Sequence, residues 1–159
     1  RHRESRVLSE IPRHSMIAPT SAEDAAYIAD NLGDDEICVR LRGRQEASSL
    51  AYEAALASPL SWCVYDAFGR PVAMFGADGE KGEEYGSAWM YCTKNARKAA
   101  RSIVQGAAFA IGISRDWWPE LRIEAEPRSE RQAKFLELIG FRPRTIEMRD
   151  GEAYVELVN

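Results

Sequence analysis

The segment Ser129 to Phe141, SERQAKFLELIGF, constrains the fold more than any other part of this chain. It predicts a short amphipathic helix that stops at a glycine and hands the chain to a strand. Ser129 and Gln132 have the spacing of a capping box, in which the hydroxyl accepts an orphan amide and the amide side chain reaches back. Ala133, Phe135, Leu136 and Ile139 form one apolar side, and Gly140 supplies the left-handed stop. An apolar run before it (LRIEAE) and a β-rich segment after it (RTIEMRDGEAYVELV) make a strand–helix–strand unit.

The 159 residues suit one domain with a single core. At 45% hydrophobic and 29% charged the composition is that of a globular protein, with no apolar run of the length a membrane span needs. A net charge of −4 argues against a surface built wholly for nucleic acid. Cys38, Cys63 and Cys92 are odd in number, far apart and without metal-ligand spacing, so they read as buried apolar residues in a reducing cytoplasm, and no metal is expected. Residues 1–15, RHRESRVLSEIPRHS, are basic, lack a period and lack the apolar centre of a signal peptide. They read as a leader, an upstream extension or a flexible arm before one domain spanning residues 16–159, and they hold both histidines, His2 and His14, so histidine-based catalysis is not expected.

Along the domain, Met16 to Pro19 is a short strand and Ser21 opens a helix to about Leu32, with Ala25, Ile28, Ala29 and Leu32 on one face. Glu36 to Arg42 reads equally as a short strand or a lead into the next helix, Arg44 to Leu56. Leu60 to Tyr65 and Pro71 to Phe75 flank a turn at Gly69 and predict a hairpin, followed by a third strand at Ser87 to Cys92. The longest helix is predicted over Asn95 to Ile113, because Ala96, Ala99, Ala100, Ile103, Val104, Ala107, Ala108 and Ile111 recur at helical spacing. Beyond the Trp117-Trp118-Pro119 corner, read as packed under that helix, come strand Leu121 to Ala125, the helix already described and a hairpin turning at Arg149-Asp150-Gly151. Three strands, a long helix, a strand, a helix and a hairpin give an α/β arrangement with helices on a mixed sheet.

Lys94, Arg97, Lys98 and Arg101 crowd the start of the longest helix, where each exposed cation costs roughly 0.3–1 kcal/mol against the macrodipole. Two readings stand: a solvated face, or a bound anion such as a diphosphate or an acidic protein. The element order, the Met16-Ile17-Ala18-Pro19 opening and the Leu138-Ile139-Gly140-Phe141 ending resemble the GNAT acyltransferase superfamily. That resemblance implies a mainly antiparallel sheet of six to seven strands flanked by about four helices, and acetyl-CoA or CoA as cofactor. Its pyrophosphate loop falls on Arg97-Lys98-Ala99-Ala100-Arg101-Ser102, where Arg97 matches and Ala100 and Ser102 replace small or glycine positions. Cys92, Lys94, Arg97, Lys98, Ala99, Ala100, Arg101, Ser102 and Ser129 are then the implied cofactor residues. Leu136 stands where the superfamily often has a tyrosine acid, and Ser129 where it often has asparagine. Proton transfer to sulfur would fall to Tyr91, Tyr85 or water, and Glu83, Glu84 and Glu124 are the candidates for general base. Glu124 with Tyr91 is the catalytic pair expected.

The run WMYCTKNARKAARSIVQGA, the LIGF turn and the RDGEAYVELV hairpin are similar to GNAT-like assembly proteins of T7-like short-tailed bacteriophages. This narrower resemblance implies a phage-encoded protein of the host cytoplasm with a degenerate acyl-CoA site. Two functions follow. One is an N-acetyltransferase acting on a protein or small-amine acceptor, its acceptor pocket formed by the Gly33–Pro59 segment and the Gly79–Gly86 loop. The other is a non-catalytic protein that meets a virion or host protein during assembly. An opening between the strand ending at Cys92 and strand Leu121 to Ala125 is what would admit the cofactor's pantetheine arm.

Overall fold

The computed structural model describes residues 17–125 and 130–159. The expected leader at residues 1–15 and the Ser129 cap and cofactor contact lie outside the described residues.

Strand β1 (Ile17–Pro19) leads into α1 (Ala22–Asp30), whose N-terminus is capped as its sequence implies: Ser21 Oγ accepts the Asp24 N–H at 3.1 Å. Ala25, Ile28 and Ala29 are buried one turn apart. The helix ends two residues before the predicted Leu32, because Leu32 leaves it to bridge backbone with Thr93. The undecided Glu36–Arg42 stretch is helical, α2 (Ile37–Arg42), and Gly43 at φ 85° separates it from α3 (Arg44–Ala57). In α3, Ala47, Ala51 and Ala55 form a buried small-residue ridge at i, i+4 spacing that seats it in the same core as α1.

Strands β2 (Leu60–Tyr65), β3 (Pro71–Asp78) and β4 (Tyr85–Cys92) run antiparallel, with Gly69 at φ 78° in the first turn. Side-chain alternation covers both faces: Trp62, Val64 and Phe75 pack toward the long helix, and Cys63 and Met74 toward α1 and α3. The long helix itself begins later than Asn95. Ala96–Ala99 form a 3₁₀ turn, and the α-helix, α4, runs Ala100–Ser114 with Ile103, Gly106, Ala107 and Ala110 against the sheet.

After β5 (Glu120–Ala125) come α5 (Glu130–Leu138), β6 (Arg142–Arg149) and β7 (Glu152–Val158). The strand–helix–strand unit forms with one strand inserted. The sheet order is β1-β2-β3-β4-β5-β7-β6, so β7 lies between β5 and β6 and pairs antiparallel with both. Leu136 is the buried member of α5's apolar side and Phe135 and Ile139 are half-buried, whereas Ala133, expected among them, is exposed and Gln132 takes the inward place. There are seven strands and five α-helices among the described residues, and none of the helices is long and apolar enough to cross a membrane.

The Trp117-Trp118 corner is packed. Trp118 is 1% exposed, donates Nε1–H to Glu80 O at 2.8 Å, and lies flat on Gly86 at the start of the β4–β5 ladder. A methyl group at Gly86 would meet Trp118 Cε3 at 2.5 Å, closer than side-chain carbons tolerate. Gly86→Ala should therefore cost about 1–3 kcal/mol of stability by overpacking. Urea unfolding monitored by tryptophan fluorescence measures it, and an unchanged midpoint would contradict this packing.

Candidate functional site

The site begins with a backbone deficit. Strands β4 and β5 are parallel and pair only at Tyr85–Glu120, Gly86–Leu121 and Ser87–Arg122; beyond that β5 pairs with β7 alone. This is the opening between the two strands that the sequence reading asks for. Thr93 N–H bonds to Val72 O across β3, so the peptide groups of alternate β4 residues face β3 and the others face the gap. At the far end of the gap the Cys92 peptide is satisfied from outside the sheet. Its N–H donates to Glu36 Oε1 at 2.8 Å, and its carbonyl accepts the Gly33 N–H at 3.0 Å. Met90, two residues earlier, presents its N–H to the gap with no strand opposite it.

On the α4–α5 side the gap opens into a cleft of ≈ 420 Å³. Four cations border it, Lys94 and Arg97 from the approach to α4, Arg131 and Lys134 from α5, against the carboxylates of Asp35 and Glu36. None of the four cations has an ion-pair partner among the described residues. The floor is Ala96, Ala100, Ile103 and Val104, and no side chain caps α4. Of the cofactor residues implied by the sequence, Cys92, Lys94, Arg97 and Ala100 border this cleft. Lys98, Ala99, Arg101 and Ser102 do not: Ala99 is in the core, and Lys98 and Arg101 are exposed outside the cleft. A helix that starts at Ala100 instead of Asn95 has a different rotational phase, which is why the crowd of cations divides.

On the opposite face lies a second cleft of ≈ 540 Å³, lined by Trp89 and Tyr91 of β4, by α2 and by Arg122 and Glu124 of β5. Three carboxylates reach it. Both Glu124 oxygens accept from Arg149, at 2.7 and 3.1 Å, and Glu156 accepts from Arg144. Glu36 alone of the three has no arginine partner, and it borders both clefts. Burial first, then the charge of Asp35, pushes the Glu36 carboxyl up to about 7, against the lowering effect of the Cys92 N–H. Tyr91 is pushed up to about 12 by burial, with Cys38 and Glu36 nearby, so its phenol stays protonated at neutral pH. Glu83 and Glu84 are exposed on their loop, Glu83 accepting from the Glu80 N–H at 3.0 Å, and neither borders a cleft. Tyr85 lines the second cleft with the Arg122 guanidinium 3.7 Å over its ring. Between the clefts, under the gap, lies an apolar cavity of ≈ 50 Å³ onto which Leu136 and Trp62 open.

Glu36, Met90, Arg131 and Lys134 were not singled out from the sequence. Arg131 and Lys134, one turn apart on a predicted helix, carried a weak signal; a carboxylate just before an undecided segment carried none.

No family model and no curated protein matches this chain in sequence. In structure it is similar to the ribosomal-protein-S5-alanine acetyltransferase of Vibrio fischeri, at 12% identity and TM-score 0.61, over 90% of this chain and 91% of that one. A GNAT-family acetyltransferase from Bacillus anthracis matches at 12% identity and TM-score 0.61, over 89% and 90%. An aminoglycoside acetyltransferase solved in complex with coenzyme A matches at 13% identity and TM-score 0.65, over 91% and 93%. At such identities the likeness establishes the fold, that of the GNAT acetyltransferases.

Glu36 also sets a pH dependence of stability. Folded, it keeps its proton to about pH 7; unfolded, it loses it near 4.5. The folded state binds more protons across that window, so stability falls as pH rises through it. Glu36→Gln, which keeps an oxygen for the Cys92 N–H, should gain thermal stability relative to wild type between about pH 5 and about pH 8. Circular-dichroism melts at both values test this, and a difference that does not change with pH would refute it.

Proposed function

We propose that the protein is an N-acyltransferase that takes an acetyl group from acetyl-CoA and passes it to an amine. The observation that carries this reading is the short β4–β5 ladder. It leaves the Met90 N–H open between a cationic cleft and a cleft holding an unpaired carboxylate. A coenzyme A thioester, when bound, supplies an activated acyl group that an amine can take with release of the thiol.

The residues present fit that group. Lys94, Arg97, Arg131 and Lys134 would hold phosphate. A bound anion also offsets the cost of gathering unpaired cations on one side of the cleft. The Met90 N–H, free toward the gap, is the fixed dipole that would stabilise negative charge on an acyl oxygen bound there. Glu36 takes the proton that the amine nitrogen loses, being partly ionised at neutral pH and having its second oxygen unbonded among the described residues. This role passes to Glu36 from Glu124, whose oxygens are both occupied by Arg149. Tyr91, with a protonated phenol and no hydrogen-bond partner among the described residues, serves as proton donor on the same side. The acceptor, a small amine or a protein amine, enters through the Trp89–Tyr91 cleft.

A second reading, a non-catalytic protein of phage assembly, draws on β6. This eight-residue edge strand is exposed along its whole length, with Ile146 73% and Met148 65% exposed, and such edges can template pairing with another chain. Copurification of a virion or host protein lost on Ile146→Lys would support it.

Acetyl-CoA at about a hundred times its Kd should raise the thermal midpoint by roughly 5–10 °C. Arg97→Glu with Lys134→Glu should abolish the shift while leaving the unliganded midpoint within about 1–2 °C. Absence of any shift at millimolar acetyl-CoA would exclude the enzyme reading. In acetyl transfer, kcat/KM should rise with pH through about 7 in the wild type and lose that limb in Glu36→Gln; an identical profile in both would remove Glu36 from the reaction.

A further inference from the structure

We propose that the preferred donor carries an acyl chain longer than acetyl, about four carbons with an oxygen on the chain, whose tail lies in the apolar cavity beneath the β4–β5 gap. The proposal rests on the acyl-CoA reading and specifies its donor.

The cavity lies between the sheet and helices α4 and α5. Its walls are mostly small or aliphatic, with Ala77 and Ala88 from the sheet, Ala110 from α4, Ile123 from β5 and Leu136 from α5. Protein interiors are close-packed and voids larger than a water are few, so a hollow built from several alanines at one place in the core is notable. Its volume of ≈ 50 Å³ has room for about three or four heavy atoms, judged by the share a buried water takes. Acetyl contributes a single methyl group beyond its carbonyl and would leave most of that space unfilled.

Position supplies the second argument. Met90 borders the cavity and both clefts, so the hollow opens at the peptide whose N–H faces the gap. A carbonyl bonded to that N–H has its alkyl side at the mouth of the hollow. From there the cavity runs under β4 and β3 to Trp62 on β2.

Trp62 supplies the third. It is 6% exposed, and its indole Nε1–H is buried without a hydrogen-bond partner among the described residues. Buried donors are nearly always satisfied, and the walls of this cavity offer almost no polar surface. An oxygen on a short acyl chain, a hydroxyl or a keto group, would accept that proton, whereas a plain alkyl chain would not.

Calorimetric titration of the full chain with CoA, acetyl-CoA, butyryl-CoA and 3-hydroxybutyryl-CoA tests the proposal without an acyl acceptor. Each methylene buried is worth about fourfold in affinity, so butyryl-CoA, two methylenes longer, should bind about fifteenfold tighter than acetyl-CoA, and 3-hydroxybutyryl-CoA tighter still. Ala110→Leu fills the hollow from α4 and should bring the butyryl-to-acetyl ratio down to about one. Trp62→Phe should remove the advantage of the hydroxylated chain over butyryl. Equal binding of acetyl-CoA and butyryl-CoA to the wild type, or weaker binding of butyryl-CoA, overturns the proposal and leaves the acyl-CoA reading standing. Failure of every thioester and of CoA to bind overturns both. The wild-type comparison decides the matter even if Ala110→Leu does not fold.

Discussion

A β-strand that loses its neighbour must still satisfy its backbone, and the site of this protein is organised around how β4 does so. The ladder from β4 to β5 ends at Ser87, and at the far end of β4 the Cys92 N–H and carbonyl, which face the gap, are held by Glu36 and Gly33. Between those two anchorages the sheet is open at Met90. Continued pairing would close the gap and merge the two sides of the sheet into a continuous wall. Instead there are two clefts and a hollow that meet at one peptide.

The same contact sets the electrostatics. To cap Cys92, the Glu36 carboxylate is drawn from the exposed start of α2 into a partly desolvated position. There burial outweighs the benefit of the hydrogen bond, and its affinity for protons rises into the neutral range. The neighbouring carboxylates remain ordinary salt-bridge partners because the arginines of β6 reach Glu156 on adjacent β7 and, across β7, Glu124 on β5. Distance from those arginines separates the one carboxylate that holds its proton toward neutrality from the salt-bridged ones on the same cleft. On the other face, cations gathered from two separate helices meet few acids, which gives the two clefts different chemical characters on either side of a thin sheet.

Much of the scaffold was legible in the chain. Helix α1 with its Ser21 cap, the Gly69 hairpin, α3 and the succession of elements along the chain follow from periodicity, turn residues and the family resemblance. The start of α4 was misjudged by five residues, because Ala96 and Ala99 fit a helical period whether the backbone is α or 3₁₀. Of the residues that the loop resemblance implies, Cys92, Lys94, Arg97 and Ala100 line the cationic cleft, and Lys98, Ala99, Arg101 and Ser102 do not. Gln132, whose expected cap partner Ser129 lies outside the described residues, lines both clefts.

What the chain determines by itself is local: which segments are helices or strands, where they turn, and which side of each is apolar. These properties depend on neighbours a few residues apart, whose spacing is printed in the sequence. Tertiary structure alone decided the site. Glu36 and Cys92 meet across 56 positions, Arg149 reaches Glu124 across 25, and Trp62 and Leu136 line one hollow under four strands. Such meetings follow from the order in which strands pair. No local pattern records which carboxylate loses its counter-ion and its water when the sheet assembles.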